Sequence, residues 1–343
     1  MAKELIIAGH TIKPGEEVKI DLPSVHLYTD TPMPIPVYVK RGKKDGPVLL
    51  VSAAIHGDEI NGIEIISRLI NNKSIKNLRG TLIAVPMVNV YGVLSQSRYM
   101  PDRRDLNRSF PGSSRGSLAG RIAKLFLNEV VAKCDYGIDL HTGAIHRTNL
   151  PQIRANLSDE ATKAMAYAFG VPVLLNADVR DGSLRGSAAE EGVTMLLYEA
   201  GEALRFDEFS IRAGVKGIIN VMRHLDMLRK TRSKKPPIEP FIAHNSTWVR
   251  ATDSGVMSHR KILGDYVKEG DVLAVISDPY GKTIDTIKSP VEGIIIGKQN
   301  IPLAQEGEAM YHVAYFKQHD GVVENLGILQ DNLTVTIDDN TGF

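Results

Sequence analysis

The period of apolar and polar positions changes several times along this chain. From Pro47 to Ile55, just after the turn Lys43-Lys44-Asp45-Gly46, the residues are almost continuously apolar, which predicts a strand buried on both faces of a parallel sheet. Such a strand needs helical cover. Within residues 59–71, Ile60, Ile63, Ile66, Leu69 and Ile70 recur at helical spacing while Glu64 and Arg68 stay off that stripe. Gly80 then precedes a second apolar run, Thr81 to Val88. The alternation continues with a helix over Ser117 to Val131, a strand at Tyr136 to Leu140 and a helix around Asp159 to Phe169. A strand at Thr194 to Tyr198 and an amphipathic helix over residues 208–228 complete it. Strands alternating with helices predict an α/β fold, with a mixed, largely parallel sheet flanked by helices.

The flanks have a different texture. Residues 1–40 read as an N-terminal segment of short strands and turns, with Pro14-Gly15 as one turn and an alternating stretch at Pro36 to Lys40. The α/β pattern occupies residues 41–230 and runs into a basic, proline-terminated stretch, Arg229 to Pro237, so residues 231–240 are expected to be a linker. Beyond it, residues 241–343 carry short strands and Gly turns without a long helical stripe, which predicts a C-terminal all-β, barrel-like domain. Its segments Gly264 to Leu273 and Ser289 to Gly297 resemble biotinyl/lipoyl-type barrels. The hairpin between them, Asp278-Pro279-Tyr280-Gly281-Lys282, lacks the Asp-Lys or Met-Lys pair of true carriers, so an unmodified structural barrel is expected.

Composition narrows the chemistry. The 343 residues are 43% hydrophobic and 24% charged, near the average of soluble globular proteins and long enough for two domains. With 41 Lys+Arg against 40 Asp+Glu the net charge is +1, so no whole-protein basic field points to nucleic acid or an anionic membrane as partner. The apolar run Leu5 to Ala8 is too short for a signal-peptide core, and no window approaches the ~20 apolar residues of a spanning helix. A cytoplasmic location is the expectation, and a homo-oligomer is compatible with it. The single cysteine, Cys134, leaves His and carboxylates as the only donors for a metal.

His56-Gly57-Asp58-Glu59 follows directly on the buried strand, where open α/β sheets place their sites. The first helical turn brings His56 and Glu59 to one side, and His141, in Asp139-Leu140-His141-Thr142-Gly143, stands at the end of another predicted strand. Two histidines and a carboxylate with an open fourth position form the catalytic zinc arrangement. Either histidine alone reads better as a hydrogen-bonded strand-end residue; the pair, combined with Glu199 and an arginine-rich polar loop, favours the metal site. Glu199 ends a strand too apolar to carry a carboxylate without purpose, and a glutamate near a zinc site is the expected general base. Asp105 to Gly112 lies in the polar loop with Arg98, Arg103 and Arg104, of which the last two are expected to be solvated. Arginine's planar fork and an adjacent Asn suit a carboxylate. Asp139 is placed on the opposite side of its strand from His141, in a supporting role.

Taken in order and spacing, His56-x-x-Glu59, the Arg98 segment, Asn107-Arg108, Asp139 to Gly143 and Tyr198 to Gly201 resemble the succinylglutamate desuccinylase/aspartoacylase family, relatives of the zinc carboxypeptidases. The resemblance covers about residues 35–230, and a C-terminal β-domain is also typical of that family. It implies one Zn2+ held by His56, Glu59 and His141, and Glu199 as base and proton shuttle. It implies Arg98 as polariser of the scissile carbonyl, and Asn107 with Arg108 as the clamp for the substrate carboxylate. Arg185 falls where family members carry a substrate-binding arginine, but a helix-surface arginine fits that segment equally well. The expected activity is hydrolysis of the amide bond of a small N-acyl amino acid. The alternatives are a zinc carboxypeptidase acting on peptides and a non-catalytic binding protein on the same scaffold.

Overall fold

In the computed structural model, which describes residues 4–177, 181–230 and 239–315, the apolar run after Lys43 forms a central strand of the main sheet. The strands before the first helix are β1 (Leu5–Ile7), β2 (His10–Ile12), β3 (Glu17–His26), β4 (Pro32–Arg41) and β5 (Lys44–Ala53). Next come α1 (Asn61–Ile70), β6 (Arg79–Val85), α2 (Val90–Leu94), α3 (Leu118–Glu129), β7 (Tyr136–Gly143) and β8 (Arg147–Ala155). They are followed by α4 (Glu160–Phe169), β9 (Val173–Asn176), α5 (Leu184–Glu190), β10 (Thr194–Glu202) and α6 (Glu208–His224). The C-terminal region holds β11 (Phe241–Ala243), β12 (Asn245–Arg250), β13 (Gly255–His259), β14 (Tyr266–Val267), β15 (Val272–Ser277), β16 (Thr283–Lys288), β17 (Gly293–Gln299), β18 (Leu303–Ala304) and β19 (Ala309–Tyr315).

Strands β10, β7, β5 and β6 run parallel side by side, and β4 and β8 flank them antiparallel, which makes the sheet mixed. Side-chain alternation along β5 explains its apolar run. Leu49, Val51 and Ala53 pack into the core under α1, α4 and α6, whereas Leu50 joins the core under α3. Full burial of Leu49, Leu50 and Val51 stabilises the fold by about 1.5–3 kcal/mol each. The helices start where their caps are: the side chains of Ser117, Asp159 and Asp207 accept from backbone N–H groups in the first turns of α3, α4 and α6.

Two findings go beyond the sequence pattern. First, β8 was not legible: it contains Pro151, and Arg147, Asn149 and Arg154 line a cavity. Second, the sheet is continuous across the expected linker. The start of β8 pairs with β17, its end pairs with β9, and β9 pairs with β11, so thirteen strands of the described residues form one sheet. A four-stranded sheet, β16-β15-β13-β18, adds to the C-terminal region, which has its own core around Leu273, Ile276, Ile295 and Tyr311. The first forty residues supply two ten-residue strands, β3 and β4, to the main sheet. Most of the expected linker, residues 231–238, lies outside the described residues, as do residues 316–343. No helix among the described residues is long and apolar enough to cross a membrane.

Candidate active site

β5 stops at Ala53 because the next residue, Ala54, has φ +52°, and the chain is caught there by hydrogen bonds from Val88 N to Ala53 O and from Asn89 N to Ala54 O. His56 and Glu59 therefore lie in the tight connection to α1. Gly57 is required in it: a Cβ there would fall 1.8 Å from the carbonyl carbon of Gly92. His141 comes from the neighbouring strand β7, and Glu199 from β10 in parallel register with His141. Asn61, at the start of α1, ties these elements together by donating to Ala200 O and accepting from Asp207 N.

The three side chains expected to hold a metal converge. His56 Nδ1 is 2.7 Å from Glu59 Oε1 and His141 Nδ1 is 2.8 Å from Glu59 Oε2; one donor atom from each residue lies within 4.8 Å of the others. All three are buried. The outer nitrogens are held by carboxylates: His56 Nε2 by Asp105 at 3.1 Å and His141 Nε2 by Asp139 at 2.8 Å. Asp139 in turn accepts from Ser52 Oγ at 2.7 Å. This corrects the expectation for Asp139, because residues two apart on a strand share a face.

Electrostatics follow from this packing. Burial opposes the charge of Glu59, but His56 and His141 outweigh it and hold the carboxyl well below the usual range. Burial alone would lower His141, yet Asp139 and Glu59 raise it well above its ordinary value; His56 is raised in the same way by Glu59 and Asp105. Asp105, disfavoured by burial, is pulled well down by His56 and Arg98. The acidic neighbours thus favour positive charge at this cluster. The donor set fits a divalent metal. With the Nε2–H groups donating to Asp105 and Asp139, the neutral tautomers would present both Nδ1 lone pairs beside Glu59, as a metal requires.

The triad opens into a cavity of about 340 Å³, which also brings together the other expected residues. Arg98 is anchored on Asp105 (Nη2 to Oδ2 2.9 Å), with Nη1 3.3 Å from Glu59 Oε1. Asn107 is buried in a single turn at Leu106–Arg108; its Oδ1 accepts from Leu184 N, so Nδ2 is the donor left for a ligand. Arg108 is exposed at the cavity mouth. Arg185 reaches from α5 to Ala177 O at 3.1 Å and lines the cavity instead of lying on the outer helix surface. Glu199 accepts from Asn149 Nδ2 at 2.7 Å and stands 3.7 Å from Arg154 Nε. Sequence reasoning gave Asp105 no role of its own and missed Arg147, Asn149, Arg154 and Trp248. The polar residues of β8 immediately after His141 were the available signal. Trp248, the chain's one tryptophan, stacks on His312 at 4.4 Å between ring centres, and the Arg147 guanidinium lies over its ring, 5.4 Å from the ring centre.

Comparison with known proteins agrees with this layout. A curated relative from Halomonas elongata, N-alpha-acetyl-L-2,4-diaminobutyric acid deacetylase, is 28% identical over 306 residues, covering 85% of this chain and 87% of its own. Among solved structures, the product-bound ectoine utilization protein EutE (DoeB) from Ruegeria pomeroyi superposes with a TM-score of 0.78 at 24% identity, covering 89% of this chain and 96% of that one. A succinylglutamate desuccinylase/aspartoacylase from Rhodobacter sphaeroides gives a TM-score of 0.78 at 23% identity, covering 90% and 97%. The catalytic-domain family of succinylglutamate desuccinylase/aspartoacylase matches residues 45–225, more than half of the chain and the whole stretch that supplies His56, Glu59, His141 and Glu199; the chain belongs to that family.

Proposed function

We propose that the protein is a zinc-dependent amidohydrolase that removes a small acyl group from an N-acyl amino acid. The observation that carries this reading is the convergence of His56 Nδ1, Glu59 and His141 Nδ1 on the floor of a cavity whose walls hold Glu199, Asn107 and Arg108. The 28% identical deacetylase from Halomonas elongata supports the substrate class. His56, Glu59 and His141 would hold the zinc ion, which would supply Lewis acidity toward water and a carbonyl oxygen.

The rest is done by the chain's own groups. Glu199 takes a proton from the attacking water and returns it to the leaving amine nitrogen. Arg98, steadied by Asp105, directs a guanidinium N–H toward the oxygen where negative charge develops. Asn107 Nδ2 and the Arg108 guanidinium bind the carboxylate of the amino acid and set the amide over the triad. Asp105 and Asp139 hold the two imidazoles in the tautomer that presents Nδ1.

The test is turnover by zinc-loaded protein of N-acetyl, N-succinyl and N-formyl amino acids, N-alpha-acetyl-L-2,4-diaminobutyric acid among them, with detection of the freed amine. Glu199→Gln should keep its zinc and lose about 10²–10⁴ in kcat. Failure to release amine from any of these compounds, or full activity in Glu199→Gln, would contradict the assignment.

A further inference from the structure

Each oxygen of Glu199 has its own neighbour, and both neighbours come from β8. Asn149 Nδ2 donates to Oε2 at 2.7 Å, while Arg154 Nε stands 3.7 Å from Oε1, inside ion-pair range but beyond a hydrogen bond. That Arg154 nitrogen is buried and has no hydrogen-bond acceptor. The contacts span the antiparallel pairing of β8 with β10, whose register shifts between Glu199 and Gly201. Asn149 is itself held from the C-terminal region. It pairs with Gly297 on β17, and a Cβ at Gly297 would press to 3.0 Å on Asn149 Oδ1 and 3.1 Å on His312 Cβ. A side chain at position 297 would therefore require Asn149 or His312 to give way by a few tenths of an ångström.

We infer that Asn149 and Arg154 are positioning residues for Glu199, and that Gly297 extends their support into the C-terminal β region. Resting on the reading of Glu199 as the base, the assignment gives the two carboxylate oxygens different tasks. Oε2 is fixed by the amide of Asn149. Among the described residues Oε1 has no hydrogen bond to give up; it faces the Arg154 guanidinium and is the oxygen that takes and returns the proton. The C-terminal region thereby acts on the chemical step through β17 and β8.

The experiment measures kcat and KM on N-alpha-acetyl-L-2,4-diaminobutyric acid, with zinc content and thermal unfolding as controls, for Asn149→Ala, Arg154→Lys, Arg154→Leu and Gly297→Ala. Asn149→Ala and Arg154→Leu should lower kcat by about ten- to hundredfold at unchanged zinc content, as for other groups that orient a reacting side chain. KM should stay within about twofold, since the assignment gives neither group a contact with substrate. Arg154→Lys should recover most of the loss, and Gly297→Ala, a milder displacement of Asn149, should show the same kcat-only signature. Built into Glu199→Gln, none of the changes should reduce the residual rate further, because a positioning residue has nothing left to position. A rise in KM as the main effect, or equal losses with and without Glu199, would overturn the inference. Full activity of Glu199→Gln alone would remove the base assignment itself, an outcome separate from either.

Discussion

Asp139→Asn isolates the contribution of one buried carboxylate to the proposed metal site. Asp139 is 2% exposed; its Oδ2 accepts from His141 Nε2 at 2.8 Å and its Oδ1 from Ser52 Oγ at 2.7 Å. Asparagine has the same shape. Its carbonyl can face His141 while its NH2 faces Ser52, whose hydroxyl turns to accept, so packing and the count of hydrogen bonds are kept and the negative charge alone is lost. A hydrogen bond to a charged group contributes about 1.5–3 kcal/mol and a neutral one about 0.5–1.5, a difference on the order of 1–1.5 kcal/mol at this imidazole. That is about a tenfold loss of zinc affinity, the lower end of the 10–100-fold range for groups behind a ligating histidine. Equilibrium competition with a chromophoric zinc chelator at neutral pH measures it directly. Ser52→Ala, which leaves the charge in place, is the control and should weaken zinc less. A dissociation constant for Asp139→Asn within about twofold of the parent would refute the argument that this carboxylate orients and strengthens His141.

Three further outcomes are expected. Arg108→Ala should raise KM for an N-acyl amino acid, by about 2 kcal/mol in kcat/KM, and leave zinc content intact; an unchanged KM counts against the clamp. Tyr198→Phe removes the bond from the buried hydroxyl to Ser210 O at 2.7 Å and should lower stability by about 1 kcal/mol in urea unfolding, whereas no loss would mean that carbonyl finds another donor. Beside the C-terminal core, the half-buried His259 is lowered to about 4, first by burial and then by the nearby charge of Lys298. A depressed histidine favours the neutral form in the folded protein, so its contribution is complete above the unfolded value near 6.5 and is lost as pH falls from there toward about 4. Replacing His259 with Gln should therefore flatten the dependence of unfolding free energy on pH in that window, and an unaltered slope would show that other groups set it.

Much of the catalytic half could be read from periodicity because its strands and helices have apolar faces that meet nothing but core. β5, α1, β6, α3, β7, α4, β10 and α6 all lie within a few residues of where the pattern puts them. β8 could not be read this way. Its residues are selected by the cavity on one side and by two different strand partners along its length, so Arg147, Asn149, Gln152 and Arg154 interrupt any apolar alternation. Asp105 was visible in its motif but its partner was not: His56 lies 49 residues earlier, and only the folded loop brings Asp105 to 3.1 Å from the ring.

The identities of His56, Glu59, His141 and Glu199, and their positions next to strands of a largely parallel sheet, are properties of the sequence, since local pattern places strand ends and strand ends are where such sheets expose functional side chains. What the tertiary structure alone decided is how these groups are made to work together. Glu59 meets His141 across 82 residues of chain, each imidazole is backed by its own aspartate, and Glu199 is braced from a strand that the pattern did not reveal. The joining of the C-terminal strands to the main sheet through β8 belongs to the same class. Strand pairing between distant segments depends on backbone hydrogen bonds common to every residue, so composition and periodicity carry little record of which strands become neighbours.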